Sequence, residues 1–391
     1  MTVLVINSGS SSIKYQLVEP VSGEAIAVGL VERIGEGTGY ITHTYDGNTT
    51  EITAPIIDHG DGLSRVLDLF NEKGPRLADA DIEVVGHRVV QGGKHFAGPA
   101  IITPEVRQII EDLCPLGPLH NPAHLKGIDV AMKLFDVPHV AVFDTAFFQQ
   151  LPDEAAVYAI DKKVAQRHAI RRYGAHGTSH HFVSTQVSEI LGKNNLKQIV
   201  LHLGNGASAS AVVAGRAVET SMGLTPLEGL VMGSRSGDID PAIIFHLARQ
   251  GNMSIDELDT LLNKQSGLRG LAGENDMRAV REMAVHGDDG AQLALHVYKH
   301  RLISYIGSYW TLMGGLDALT FTAGVGENDA QLRSEVIKRL SPFGVKIDED
   351  KNAVRSKEPR IISTEDSSVT VLIVPTNEEL AIARQAMSLI S

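Results

Sequence analysis

Residues 199–221, IVLHLGNGASASAVVAGRAVETS, read as one strand-turn-strand unit. Ile199, Val200, Leu201 and Leu203 form an apolar strand, Gly204-Asn205-Gly206 a turn, and a run of small residues ending in Ala211-Val212-Val213 the returning strand. Two glycines in a turn permit positive φ and let the backbone approach a ligand with no Cβ in the way. The N–H groups exposed there, with Ser208 and Ser210 just beyond, make a nest suited to phosphate oxygens. An ordinary hairpin carries the same residues, so the reading needs a second occurrence. Residues 3–15, VLVINSGSSSIKY, supply it: an apolar strand, a polar turn at Asn7-Ser8-Gly9-Ser10, serines and a second strand, half a chain away. Two such units imply two similar domains, each offering a phosphate-gripping hairpin, facing each other across a cleft. No GxxxxGK[ST] occurs, which argues against a P-loop enzyme. The glycines of GEGTG at 35–39 and GVGEN at 324–328 lack the dinucleotide spacing, which weakens a Rossmann reading.

The chain has 391 residues, long enough for two domains with sizeable cores. A hydrophobic fraction of 43% marks a soluble globular protein, and a net charge of −12 without a basic run argues against a nucleic-acid partner. An acidic protein that handles anions must gather positive charge locally, which directs attention to individual arginines. Cys114 is the only cysteine, which excludes an internal disulfide and fits a reducing compartment. The sequence opens directly on a strand, and no apolar run approaches membrane-spanning length, so the expectation is a cytoplasmic, unanchored protein.

A meander of short strands runs to about residue 55, and helical spacing of Leu63, Val66, Leu67, Leu69 and Phe70 predicts a helix over 61–73. A buried strand follows at 82–90, then a helix from Thr103, as cap, to Leu113, a stiff loop at 115–122, a helix over 123–135 and a strand at 140–143. The domain boundary falls near 146–152. In the second half, Ser254 and Glu257 form a capping box opening a helix over 255–263, and an apolar stripe predicts the longest helix at 290–313. A strand at 318–322 ends in a turn at 323–328, and the last helix spans 377–389. Strands alternating with helices indicate an α/β fold with parallel connections.

Asn7, Arg88, Asp144, Asn205 and Glu378 stand where predicted strands end, where ligands of open α/β sheets bind. Arg88 interrupts an apolar strand; it either pairs with a core carboxylate or binds an anionic substrate, the latter being the better reading. Asp144 would cap the next turn or contact Mg²⁺, which needs only one or two protein oxygens beside phosphate and water. Glu378 would stabilise a helix start or serve as such a ligand. Arg235 lies in a tight polar loop, and glycines flanking His176 suit a loop that presents a donor to a phosphoryl group.

The motifs NSGSSSIKY at 7–15, GHRVV at 86–90, LHNP at 119–122, FDTAF at 143–147, YGAHGTSH at 173–180, HLGNGAS at 202–208, MGSRSGDIDP at 232–241, FTAGVGEN at 321–328 and PTNEEL at 375–380 occur in one order. On these residues the chain resembles the acetate kinases, a family within the superfamily of sugar kinases, actin and heat-shock ATPases. The resemblance implies two ribonuclease-H-like domains, residues 1–148 joined by the helix 377–391 and residues 149–376 with the main nucleotide loops, and a homodimer. It implies reversible transfer of the ATP γ-phosphoryl to acetate or another short-chain carboxylate, with Mg²⁺, or Mn²⁺ in its place, as cofactor. Carried over by position, Asn7 and Glu378 match metal positions, Lys14 a nucleotide contact, Arg88 the carboxylate-binding arginine and Asp144 the catalytic acid. His176 and Arg235 match the transition-state stabilisers. His202, Leu203, Gly204, Asn205 and Gly206, with Asp276, Met277 and Arg278 and with Gly324, Val325, Gly326, Glu327 and Asn328, match the nucleotide loops. Val90, Leu119, Ala175 and Pro226 match the pocket for the acid's methyl group.

The chain departs from the family where Ala175 stands for phenylalanine, Gln91 for histidine and Met277 for phenylalanine. The first change leaves room for a longer acid, so propionate or butyrate kinase is the alternative. A non-catalytic actin-like ATPase has no use for Arg88 beside a small pocket, and a sugar kinase needs polar pocket residues and a general base.

Overall fold

The computed structural model describes residues 1–9 and 11–390; Ser10, in the first hairpin turn, and Ser391 lie outside the described residues. The chain divides into two units, residues 1–149 with 377–391, and residues 150–376.

The first unit holds β1 (Thr2–Ser8), β2 (Ser12–Val18), β3 (Ala25–Glu32), β4 (Gly39–Tyr45), β5 (Asn48–Ala54), β6 (Ile82–Val89), β7 (Ala100–Ile101) and β8 (His139–Phe143). They form an eight-stranded mixed sheet in the order β5-β4-β3-β2-β1-β6-β8-β7. From β1 to β5 the strands are an antiparallel meander, whereas β1, β6 and β8 are parallel neighbours joined by helical crossovers. The second unit holds β9 (Lys197–Leu203), β10 (Ala207–Val213), β11 (Arg216–Thr220), β12 (Ala318–Thr322), β13 (Arg360–Ile361) and β14 (Thr370–Ile373), in the order β11-β10-β9-β12-β14-β13. Laid side by side, β3-β2-β1-β6-β8-β7 and β11-β10-β9-β12-β14-β13 have one strand order and one pattern of parallel and antiparallel neighbours. The sequence echo between residues 3–15 and 199–213 is thus a duplicated fold element, the first hairpin of each sheet.

Alternation along β6 sets the layers of the first unit. Val85 faces a core that includes Leu4, Ile6, Leu63, Phe70 and Ala131. Gly86 faces the other way, toward the helix Glu378–Met387, where a Cβ would stand 2.8 Å from Ile382 Cγ2. Arg88, two residues on, shares the Gly86 face, which is why it meets the first turn of that helix.

Helix starts follow local chemistry. Thr103 Oγ1 accepts the Val106 N–H at 3.3 Å ahead of Pro104, and Asn377 caps Glu378–Met387 by accepting from Leu380 N at 3.0 Å. Ser254 and Glu257 make both bonds of a capping box opening the helix Ile255–Lys264. Because this cap is solvent-exposed, Ser254→Ala is expected to lower stability by about 1 kcal/mol with activity unchanged, measured by urea denaturation.

Two local expectations are corrected. Neither Gly204 nor Gly206 adopts positive φ. Residues Ala323–Asn328 form a short helix, not a turn. Ala323 takes φ 64°, which turns the chain sharply off β12, and Gly326 then packs on β12, its Cβ position 3.4 Å from the Phe321 carbonyl carbon. Side chains satisfy the helix's carbonyls: Arg333 Nη1 donates to Gly326 O and Asn328 Nδ2 to Gly324 O, both at 2.8 Å.

Candidate active site

In the first unit, Asn7 is the penultimate residue of β1 and lies in register with Lys14 of β2. Lys14 pairs with Glu379. Arg88 Nη2 donates to Asp144 Oδ2 at 2.7 Å, and Nε lies 3.2 Å from the same oxygen and 3.7 Å from Glu378 Oε2. Arg88 is thus paired with a core carboxylate, and its side chain stays 18% exposed. Burial works against the Arg88 charge, but Asp144 and Glu378 outweigh it and hold the guanidinium protonated beyond its ordinary range. Burial raises the Glu378 carboxyl above its ordinary value; Arg88 opposes this, and Asp144 and Glu379 add to it.

Val90 is buried just past β6, and Leu119 is exposed just ahead of the helix Asn121–Leu134. The buried Asn121 side chain joins the two segments, accepting Gln91 N–H at 3.0 Å and donating to Gln91 O at 2.9 Å. The departure from the family at Gln91 is thus held by its backbone, and its side chain turns inward to accept Gly93 N–H at 2.9 Å.

Three carboxylates, Asp144, Glu378 and Glu379, stand here against two cations, Arg88 and Lys14. The negative surplus and the Asn7 amide suit a hard divalent cation, which takes oxygen ligands from one or two carboxylates and completes its shell with water and phosphate. Among the described residues no group of three or more His, Cys, Asp or Glu that could hold a metal ion is found.

In the second unit, His176 occupies the N-cap of the helix Gly177–Leu191 with φ 58°, an uncommon conformation for a residue with a side chain. Its ring stacks on His202 at 4.3 Å between centroids, and its Nδ1 meets Ser208 Oγ at 2.9 Å. His202, at the end of β9, is held through Nδ1 by Ser179 Oγ at 2.8 Å, and Thr376 Oγ1 donates to Ser179 at 2.8 Å. Arg235 Nη1 donates to Pro226 O at 3.1 Å; burial lowers the pKa of the guanidinium, and no carboxylate of the described residues pairs with it.

Gly206 is where these groups converge. A Cβ on it would lie 3.4 Å from His176 Cε1 and Nε2 and 3.7 Å from Arg235 Nη1. The glycine of the first-quoted turn leaves the space beside two donor side chains open and does not serve a positive φ. Those contacts are of ordinary van der Waals length, so Gly206→Ala is expected to fold normally, with an unchanged melting temperature. It should lose about tenfold or more in kcat because the methyl occupies the anion's approach.

Ser208 and Ser210 do not form the expected nest: both are fully buried and bonded to histidines. Gly204, Asn205, Asp276, Met277 and Val325 instead line a cavity of about 250 Å³ together with Gly233, Leu268, Asn275 and Tyr298. Met277 supplies a soft apolar wall at the position where the family carries phenylalanine. Asp276 caps the helix Met277–Val285 and pairs with exposed Arg278 at 2.7 Å, and its carboxyl is lowered to about 2, first by the Arg278 side chain. Leu203 is fully buried, so only its backbone is available; Gly324 and Asn328 are exposed, and Glu327 accepts Thr376 N–H at 3.3 Å. Ala175 is buried beside His176, and Pro226 is half-buried.

Reading by residue type misses Glu379, Ser179 and His180. Glu379 is adjacent to Glu378, and His180 lies four residues after His176 on one helix face, so spacing carried both signals.

Two duplicated mixed sheets with charged or glycine-rich strand ends define a phosphate-handling protein of the two-domain actin-like ATPase fold. The sequence pattern of the acetokinase family matches residues 2–384, and the chain belongs to that family. An acetate kinase from Leifsonia xyli subsp. xyli is 57% identical over 100% of this chain and 99% of its own length. Among solved structures, an acetate kinase from Porphyromonas gingivalis is 39% identical with a TM-score of 0.93 over 100% of both chains. A propionate kinase from Francisella tularensis subsp. tularensis is 40% identical with the same TM-score of 0.93 over 99% of both chains.

Proposed function

We propose that the chain is an acetate kinase, transferring the γ-phosphoryl of ATP reversibly to acetate to give acetyl phosphate and ADP. The observation that carries this reading is the convergence of His176 and Arg235 on Gly206, two donors beside a backbone stripped of its Cβ. A carboxylate oxygen forms the new bond to the γ-phosphorus while the bond to the bridging β,γ-oxygen breaks and ADP leaves with that electron pair. The acceptor is already an anion, so no proton has to be removed. Asp144, tied to Arg88, is a positioning group in this scheme and not a base. Arg88 binds the carboxylate, and Val90, Leu119, Ala175 and Pro226 are assigned to the acid's methyl by the positions they share with the family. Arg235 and His176 stabilise charge on the transferred group. Lys14, the hairpin at 202–206, the turn at 276–278 and the short helix at 324–328 bind the nucleotide. Asn7 and Glu378 would hold Mg²⁺, or Mn²⁺, which when bound neutralises phosphate oxygens.

Burial of the small Ala175 favours a second reading, propionate as acceptor. One methylene in an apolar pocket is worth about 1–3 kcal/mol, so the two acids differ by degree. Trapping the acyl phosphate with hydroxylamine, with acetate, propionate, butyrate or no acid beside Mg-ATP, decides the matter. Acetate best supports the proposal; propionate or butyrate best keeps the mechanism and changes the acceptor; ADP release without acyl phosphate sinks both.

We also assign the chain to a cytoplasmic homodimer. The helix Ala242–Gln250 supports the dimer, because it leaves Ile243 41% and Phe245 56% exposed on a short apolar element. No helix of the described residues is long and apolar enough to cross a membrane. Light scattering coupled to gel filtration tests the assembly, and a clean monomer refutes it.

A further inference from the structure

Behind His176 lies a line of buried hydrogen bonds that the proposed reaction does not itself call for. Ser208 Oγ meets His176 Nδ1 at 2.9 Å and His180 Nε2 at 2.7 Å; on the far side of that ring, His180 Nδ1 meets Ser210 Oγ at 2.7 Å. Ser208 and Ser210, two apart on β10, face the same helix, and His180 is one turn beyond His176 on it. Ser208, His180 and Ser210 are completely buried.

Two arrangements make every bond of this line with the Ser208 hydroxyl proton kept inside it. A fully buried imidazole stays neutral, since burial disfavours its charged form, and the nearby His202 adds to this. His180 therefore has one N–H. If that proton is on Nδ1, His180 Nε2 takes the Ser208 hydroxyl proton, and Ser208 can only accept from His176 Nδ1–H. A neutral His176 then turns a bare Nε2 toward Gly206, which repels a phosphoryl oxygen. If the proton is on Nε2, His180 donates to Ser208, Ser208 donates to His176 Nδ1, and His176 carries its single proton on Nε2. That nitrogen lies 3.4 Å from the Gly206 Cβ position, which is itself 3.7 Å from Arg235 Nη1. A second positive charge next to Arg235 is costly, so a neutral donor suits the place better than an imidazolium.

We propose that Ser208, oriented by His180 and Ser210, is a positioning residue that fixes His176 as the neutral tautomer protonated on Nε2. The arrangement makes the neutral His176 a hydrogen-bond donor to the transferred group, with no need to pick up a proton. The inference rests on the reading of His176 as a phosphoryl donor, but the tautomer can be read without catalysis.

The test uses the full-length protein with histidine labelled at its ring nitrogens, His176 being assigned by its loss in His176→Asn. Correlation spectra are expected to show His176 protonated on Nε2 and bare on Nδ1 near neutral pH; a proton on Nδ1 overturns the proposal whatever the activity. In Ser208→Ala, kcat should fall about 10- to 100-fold, with KM for ATP and acid changed less than about threefold, by analogy with other residues that orient a functional histidine. His180→Gln, whose amide can still donate to Ser208, should retain kcat within about fivefold, whereas His180→Phe should match Ser208→Ala. Equal activity of the glutamine and phenylalanine variants contradicts the relay. A His176→Ala variant with full activity removes the functional reading while leaving the tautomer assignment standing on the spectra.

Discussion

Replacing Arg235 by alanine lowers kcat by about 10³-fold and changes KM for the acid much less, as expected for an arginine that acts mainly on the transition state of phosphoryl transfer. The physical ground is the unusual solvation of this side chain. Arg235 donates to Pro226 O and touches Met232 Sδ at 3.8 Å, and burial depresses its pKa without a carboxylate to compensate. A buried cation left in that state costs free energy in the absence of an anionic ligand. The surrounding loop nevertheless holds it firmly. Asp238 accepts Gly229 N–H at 2.8 Å and the Tyr305 hydroxyl at 2.7 Å, and Leu268 N–H donates to Met232 O at 2.9 Å. The protein thus maintains a charge that no carboxylate of the described residues pairs with. The same argument predicts that Arg235→Ala does not lower the melting temperature. Steady-state kinetics with calorimetry on one preparation checks both, and an unchanged kcat removes Arg235 from the mechanism.

Arg88→Ala has the opposite character, a loss of binding accompanied by a loss of stability. Asp144 is 1% exposed, and without the guanidinium it shares a buried site with Glu378 and with Glu379, which pairs with Lys14. Removing one partner of a buried ion pair costs about 3–5 kcal/mol, because the other charge is left behind. The sign of the pH effect follows from the carboxyl groups. Glu378 already has a folded pKa raised by burial, and losing Arg88 raises it further. Between the unfolded and folded values the native state binds more protons, so stability falls as pH rises through that window. Acidifying from about pH 7 to about pH 5.5 should therefore recover part of the lost stability in the variant. Urea midpoints at the two values measure this, and a variant that is less stable at the lower pH contradicts it. KM for the acid is expected to rise about tenfold or more, consistent with the loss of a charge-assisted pair to the carboxylate.

Much of this was legible in the residues, and the parts that were not share a cause. The polar turn after an apolar run located both hairpins, Ser254 with Glu257 specified a helix start, and Arg88 inside an apolar strand announced a charged site. These are local signals, carried by a few adjacent positions. Ser208 and Ser210 were misread because β10, Ala207–Val213, is covered on both faces, and its alanines are no larger than its serines. With no alternation of apolar and polar residues, period two says that the serines share a face but not which face. Their partner His180 lies 28 residues from Ser208, a pairing that only the packed helix reveals. The short helix at 323–328 escaped because glycine-rich runs read as turns, while the side chain that supports it, Arg333, comes from the following helix.

The order in which the first unit acquires its parts has a consequence for synthesis. Its strands precede the second unit in the chain, yet the helix Glu378–Met387 that covers Gly86 and brings Glu378 to Arg88 follows it. Arg384 reaches back across 364 positions to the Pro20 carbonyl. A ribosome adding about 5–20 residues per second needs on the order of 10–50 s to make the intervening segment. Through that interval the nascent first unit has an uncovered sheet face, an incomplete charge cluster and no means of performing the reaction. The part of the protein made first is finished last.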